Sequence, residues 1–237
     1  MENVTVPKPK TKIIVGLPGS NFSSKFLMSW TDTLYHLWNS DEYSVMISPG
    51  ESSFVTFARM KTLGLDILRG VDQKPFDGHD YDIFVTLDSD MNFTPTQFMQ
   101  LLQNTKTYGA VAGYYMMDDN KHLAVVKDWD EDFFIENGFF QFLTADDIEK
   151  WKTETKKRYM LVDYVGMGFF ACRKDVLDSI KYPYFHRKLE SFSSKEGKKI
   201  TSICSEDVAF CKNIKRAGFN IFIDTDLRIG HEKRIII

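Results

Sequence analysis

Five Asp-x-Asp triplets punctuate the 237-residue sequence: Asp80/Asp82, Asp88/Asp90, Asp128/Asp130, Asp130/Asp132 and Asp224/Asp226. Only Asp88 and Asp90 directly follow an uninterrupted apolar run, Ile83 to Leu87. A run of that length and composition reads as a buried strand. Ligands of open α/β sheets gather where strands leave the sheet at their carboxyl ends. Two carboxylates there supply hard oxygen ligands for Mg²⁺ or Mn²⁺, and such ions also hold nucleotide phosphates. The plain alternative is a solvated turn, because aspartate bonds its own backbone.

Three further groups have chemistry to offer. Ser205-Glu206-Asp207 opens a helix, where acidic residues favour the helix dipole by ~0.3–1 kcal/mol even without any catalytic role. His231 follows the last strand-like residues, and a neutral imidazole is an acceptable Mn²⁺ ligand beside carboxylates. The other histidines (His36, His79, His122, His186) read as surface or packing residues. Arg59 carries a guanidinium that matches phosphate geometry, or serves as an ordinary surface helix residue.

The elements that must position these groups alternate regularly. Lys12–Leu17 reads as a first strand, followed by a turn at Pro18-Gly19-Ser20-Asn21. Phe22–Asn39 has helical spacing, with Ser23 or Ser24 as cap. Tyr43–Ile47 reads as a strand stopped by Ser48-Pro49-Gly50. Ser53–Leu68 reads as a helix closed by Gly70. After the Ile83–Leu87 strand, Thr94-Pro95 starts a helix running to about Asn104. Gly109–Met117 is a fourth strand. The β-α-β-α-β-α-β order implies a parallel sheet with helices on both faces.

The second half is more mixed. Residues 118–145 combine short strand-like pieces with acidic turns. Asp146–Lys156 and Lys174–Ile180 read as short helices, and Tyr159–Tyr164 and Phe169–Cys172 as strands. Residues 181–204 read as a long polar connection, of the kind that is mobile or functional. Ser205–Ala217 is a helix with Gly218 at its end. Ile221–Asp224 and Leu227–Ile229 are two final strand pieces, and Ile235–Ile237 a possible last strand. Neither a repeat nor a clear linker interrupts the chain, so one domain with two sub-regions is expected, 12–117 and 118–237.

Composition narrows the classes. Hydrophobic residues make up 43% and the net charge is −3, with 30 basic and 33 acidic residues. That excludes disorder and gives no basic field for nucleic acid or an anionic membrane. The three cysteines form no CxxC, against a disulfide scaffold or structural zinc. The N-terminus lacks a signal-peptide apolar core, and no run approaches a membrane span. A cytoplasmic setting is expected.

The ordered motifs resemble those of the GT-A glycosyltransferases, in particular small family-2-like enzymes of bacteria, phages and large viruses. They are KIIVGLPG, SSFVTFARM, FVTLDSDMNFTP, GAVAGYYM, VGMGFFACRKDVL, SEDVAFCKNIKRAGFNIFIDTDL and GHEK, covering residues 12 to about 233. The resemblance implies a GT-A, Rossmann-like α/β fold, a mostly parallel sheet flanked by helices with a smaller mixed acceptor-side region, in a single domain whose residues 12–117 form the nucleotide-sugar-binding half and 118–237 the acceptor-binding and catalytic half. It implies transfer of a sugar from a UDP- or GDP-sugar to a hydroxyl acceptor such as a glycan, glycoprotein or lipid-linked sugar. A viral chain would act in the host cytoplasm. Mn²⁺ or Mg²⁺ is implied as cofactor, with Asp90 as principal ligand, Asp88 on the ribose or the metal's water shell, and His231 completing the site. Asp207 is implied as general base of an inverting reaction, with Glu206 as its alternate. Leu17, Pro18, Ser48, Arg59, Asp88, Ser89 and Asp90 would border the nucleotide.

Two departures bear on these expectations. The acidic residue often found after the second strand to contact the base is replaced by Ser48-Pro49-Gly50, with Glu51 just beyond, which leaves the base open. Retaining enzymes share the Asp-x-Asp and the late histidine, which leaves the stereochemistry open. A haloacid-dehalogenase-like phosphatase also places Asp-x-Asp after an apolar strand, but expects Thr or Val where Asn92 stands. A non-catalytic nucleotide- or glycan-binding domain on the same scaffold is the other alternative.

Overall fold

The computed structural model describes residues 9–233. Arg234 and the strand expected at Ile235–Ile237 lie outside them. The described chain starts with β1 (Thr11–Pro18), α1 (Ser24–Trp38), β2 (Tyr43–Gly50), α2 (Val55–Thr62) and β3 (Ile83–Leu87). Then come β4 (Met91–Asn92), α3 (Pro95–Tyr108), β5 (Ala110–Tyr114), β6 (Val125–Val126), α4 (Glu131–Asn137) and α5 (Ala145–Thr155). The remainder is β7 (Tyr159–Val162), β8 (Tyr164–Val165), β9 (Phe169–Arg173), α6 (Lys174–Asp178), β10 (Lys188–Ser193), β11 (Lys199–Cys204), α7 (Glu206–Arg216), β12 (Ile221–Arg228) and β13 (Gly230–His231).

Seven strands form one sheet in the order β2-β1-β3-β9-β5-β12-β7. Five of them (β2, β1, β3, β5 and β12) share a direction, and β9 and β7 oppose it. The mostly parallel α/β class expected from the alternation is therefore present. The sheet also takes in strands from both halves of the sequence. Alternate strand residues face opposite layers. Ile13, Val15, Ile83 and Val85 pack with Phe26 and Trp30 of α1 and Phe98 and Leu101 of α3. Ile14, Phe84 and Phe170 pack on the other face with Leu177 of α6 and Phe210 and Ile214 of α7. Fully buried apolar strands of this kind need helices on both sides.

Local signals explain the helix starts. Ser23 accepts from the Phe26 N–H, Ser205 accepts from the Val208 N–H, and Thr94 forms a reciprocal capping box with Gln97. No helix among the described residues is long and apolar enough to cross a membrane.

Several sequence expectations need correcting. The parallel series is interrupted, because antiparallel β9 sits between β3 and β5 and pairs with both. The helix expected over Ser53–Leu68 ends at Thr62, and only a single 3₁₀ turn at Ile67–Arg69 follows. Gly64 (φ +65°) lies between them, in a conformation that a helix does not allow. β2 runs on through Pro49, which an edge strand tolerates because no neighbour needs its missing N–H. Residues 181–204 are not an unstructured connection: they contain the β10–β11 hairpin. The two final strand pieces are one strand, β12, with a register shift between Ile223 and Arg228. The helix α4 was not legible among the acidic turns, although Asp130 caps it through the Phe133 N–H.

Candidate functional site

The sheet order reverses between β1, which sends the chain outward to β2, and β3, so the carboxyl ends of β1 and β3 border a topological switch point. Asp88, Ser89 and Asp90 leave β3 there. Three connections converge on them. The loop before β9 passes over the end of β3, because β9 pairs antiparallel with it, and the Asp88 N–H donates to the Gly168 carbonyl at 2.9 Å. β13 pairs antiparallel with β4, opposing His231 to Met91. The Glu232 N–H then donates to the Asp90 carbonyl at 2.8 Å. Finally, the Ser23 N–H donates to the Ser89 carbonyl at 3.0 Å, which ties α1 to the same turn.

The two aspartates of the triplet face different partners. Asp88 is held by the guanidinium of Arg59 in a two-pronged pair, with Nη1 3.0 Å from Oδ1 and Nη2 3.0 Å from Oδ2. Asp90 meets His231, with Nε2 3.1 Å from Oδ2, while His231 Nδ1 lies 2.8 Å from the Met116 carbonyl. Lys233 stands 3.6 Å from the same Asp90 oxygen. Partial burial opposes the charge on Asp90, but the His231 hydrogen bond and the nearby cations outweigh it and hold its pKa below the usual value.

Arg59 is not a surface residue: it is 3% exposed. From α2 it reaches Asp88 on one side and Asp207 of α7 on the other, with Nε 3.1 Å from Asp207 Oδ1. That approach lacks hydrogen-bond alignment, and both atoms are buried without a hydrogen-bond partner among the described residues. Glu206 is buried too, with Oε1 4.0 Å from Arg59 Nε and Oε2 4.0 Å from Nε of exposed Arg187. The Asp207 Oδ2 accepts from the Met167 N–H at 3.2 Å. Burial pushes the Asp207 carboxyl up to about 6, Arg59 works against that rise, and Asp88 and Glu206 add to it. A carboxylate with a pKa near neutrality is suited to accept a proton.

Tyr115 was missed by sequence reasoning. Its buried ring lies 4.8 Å from that of His231, and its hydroxyl accepts from the Gly168 N–H at 3.1 Å. Burial, together with Asp88 and Asp207, pushes its pKa up, so it remains a hydroxyl. Gly166 and Gly168 are explained by this ring, because a Cβ at either position would collide with the Tyr115 hydroxyl. The signal was available, since Tyr115 directly follows β5 at the same edge of the sheet as Asp88 follows β3.

The expected nucleotide-bordering residues are less united. Leu17 is packed in the core and Pro18 is buried, so Leu17 offers little but backbone to the crevice. Ser48 is half-buried on β2, opposite Gly16 in register, and makes no side-chain hydrogen bond with the acidic groups among the described residues. For the implied metal, no group of three or more His, Cys, Asp or Glu side chains converges among the described residues. The donor set at Asp90 nevertheless fits a divalent ion that takes its remaining ligands from phosphate. Mg²⁺ is commonly bound by one or two carboxylates plus substrate oxygens, and the Met116 carbonyl, 2.8 Å from His231 Nδ1, holds the imidazole in a fixed orientation with Nε2 toward Asp90.

Fold and site together define a doubly wound α/β protein with a cluster of carboxylates at its switch point. No family model and no curated protein matches the sequence. Similar solved structures include the crystal structure of A197 from STIV, at 17% identity and a TM-score of 0.45, covering 97% of each chain. Another is the crystal structure of a mycobacterial protein, at 14% identity and a TM-score of 0.42, covering 96% of this chain and 69% of that one. Likeness at this level carries no argument about activity.

Proposed function

We propose that the protein is a metal-dependent glycosyltransferase that moves a sugar from a UDP- or GDP-sugar to a hydroxyl acceptor with inversion. The observation that carries this reading is the juxtaposition of two unlike carboxylate centres at one sheet edge. Asp90 with His231 is a half-buried donor pair in which Asp90 keeps the greater exposure, while Asp207 is a largely enclosed carboxylate with a pKa of about 6. Asp90 and His231 would hold Mn²⁺ or Mg²⁺ against the donor diphosphate, with Lys233 beside them. When bound, the ion neutralises the charge that grows on the departing nucleoside diphosphate. Asp207 takes the proton as the acceptor oxygen bonds to the sugar's anomeric carbon and the bond from that carbon to the diphosphate breaks. Arg59 holds Asp88 and Asp207 at fixed separation, and Glu206 lies close enough to adjust the charge of that pair.

Calorimetry of UDP and GDP with Mn²⁺ tests the donor side. Asp90→Ala is expected to weaken Mn²⁺-dependent binding by at least about tenfold, with an unchanged melting transition. Equal affinity in the variant would remove the metal assignment.

A further inference from the structure

Asp207 has a single hydrogen-bond donor among the described residues, the Met167 N–H at 3.2 Å from Oδ2. Met167 lies between two buried glycines. Its own side chain is buried in the core and anchors the chain there. The peptide that carries its N–H still turns on Gly166, which has no side chain to restrict it. Neighbouring groups fix that peptide. The Gly166 N–H donates to the Ala124 carbonyl at 2.8 Å, and the Gly168 N–H donates to the Tyr115 hydroxyl at 3.1 Å. The Ala124 N–H donates in turn to the Tyr115 carbonyl at 3.0 Å. Tyr115 thus closes a ring of hydrogen bonds. Its backbone holds one end of the Gly166–Gly168 turn through Ala124, and its side chain holds the other end directly.

The ring and the hydroxyl of Tyr115 have separate partners. The ring packs against His231, whose Nδ1 lies 2.8 Å from the carbonyl of the next residue, Met116. The hydroxyl meets the turn. Without it the Gly168 N–H would be buried and unpaired, a costly state that the turn would relieve by shifting. Other groups around Asp207 cannot replace the Met167 donor. Arg59 of α2 approaches without hydrogen-bond alignment. Asp88 at the end of β3, Tyr164 of β8, and Glu206 and Cys211 of α7 are its other charged or titratable neighbours. None of these donates a hydrogen bond to it among the described residues.

We infer that Tyr115 is a positioning residue for Asp207: its hydroxyl holds the Gly166–Gly168 turn so that the Met167 N–H stays aimed at the carboxylate. That Asp207 then acts as a base rests on the transferase reading; the positioning does not. Tyr115→Phe removes the hydroxyl and keeps the ring beside His231. The test follows the carboxyl carbon of Asp207 by NMR on the full chain, without metal or nucleotide, with Asp207→Asn to assign the signal. Asp207 titrates at about 6 in the wild type. In Tyr115→Phe it is expected to titrate about one pH unit higher, because its charged form loses a donor. Tyr114→Phe deletes the neighbouring buried hydroxyl, which donates to the Thr225 carbonyl at 3.2 Å, and should leave Asp207 unmoved. In a transfer assay Tyr115→Phe should lower kcat by about tenfold with the donor KM unchanged.

An Asp207 that titrates at the same pH in wild type and Tyr115→Phe, or that moves equally in Tyr114→Phe, overturns the inference. A rise confined to Tyr115→Phe, in a protein that transfers sugar from neither UDP- nor GDP-sugars, leaves the positioning standing and removes the transferase reading. Sugar transfer with an unmoved Asp207 removes the positioning alone.

Discussion

Two aspartates in this chain each face an arginine, one fully buried and one half-buried, and they are built in opposite ways. Asp224, fully buried on β12, accepts from Arg158 Nε at 2.8 Å and Nη2 at 2.7 Å. It also accepts from Gln100 and Asn104, both at 2.6 Å, and from the Asp226 N–H at 3.0 Å. Burial works against its charge, but those donors outweigh it and hold its pKa below the ordinary value. Asp207 has one backbone donor and an arginine that is shared with Asp88 and not aligned to it, and its pKa is pushed up to about 6. A carboxylate with every lone pair engaged is a fastener. One that is enclosed and left under-satisfied retains affinity for a proton.

The sharpest way to break this contrast is to remove both charges with minimal change of shape. Asp207→Asn is expected to lower transfer turnover by about 10²–10⁴-fold, the range of general-base contributions. Donor binding measured by calorimetry should stay the same. Wild-type turnover should rise with pH through about 6 as Asp207 ionises, and the residual activity of the variant should lack that limb. Turnover within tenfold of wild type would pass the base role to another group.

Asp224→Asn carries the opposite expectation. It should cost about 3 kcal/mol, because charged hydrogen bonds are lost and Arg158 is left without its partner. For a chain of this size that lowers Tm by about 6–12 °C, while turnover at temperatures where the variant is folded is unchanged. The pH dependence of stability also separates the two residues. Asp207 has a raised folded pKa, so its contribution is full below the ordinary aspartate value of 3.8 and is lost as pH rises through about 6. Asp224 has a depressed folded pKa, so its contribution is present above 3.8 and is lost as pH falls through the folded value. Thermal unfolding from pH 4 to pH 8 should show Asp207→Asn gaining on wild type as pH rises. The Asp224→Asn deficit should hold across that range and narrow only as pH falls below 3.8.

Much of this was legible from local pattern. β1, β3 and β5 are near-continuous apolar runs, and α1, α3 and α7 announce themselves with Ser23, Thr94 and Ser205 caps. Asp88 and Asp90 were marked by their place after β3. Their difference in role was not legible, because it comes from Arg59 and His231, which are 29 and 141 residues away in sequence. The insertion of antiparallel β9 between β3 and β5 is also a pairing choice that no local run encodes. The β10–β11 hairpin was hidden because its strands are mostly polar and exposed and bury one large side chain, Phe192, in a small aromatic cluster of their own. Tyr115 escaped notice because sequence shows a tyrosine after a strand, not the glycine-walled space that receives its hydroxyl.

That space gives the smallest effect and a test of whether the crevice floor is as fixed as the Asp224 network. A Cβ on Gly166 would lie inside contact distance of the Tyr115 hydroxyl, 2.9 Å from its Cζ and 3.1 Å from the Ala124 Cβ. Tyr115 is buried beside His231 and cannot swing into solvent without leaving its place. Gly166→Ala should therefore cost about 1–3 kcal/mol, as overpacking does. Because the closest contact is to the hydroxyl, the same substitution in a Tyr115→Phe background should cost less, and the difference is the coupling read by a double-mutant cycle of thermal or urea unfolding. Equal costs in both backgrounds would mean that the loop yields instead of the ring, and that the Asp88 and Asp207 contacts made through Gly168 and Met167 are not held rigidly.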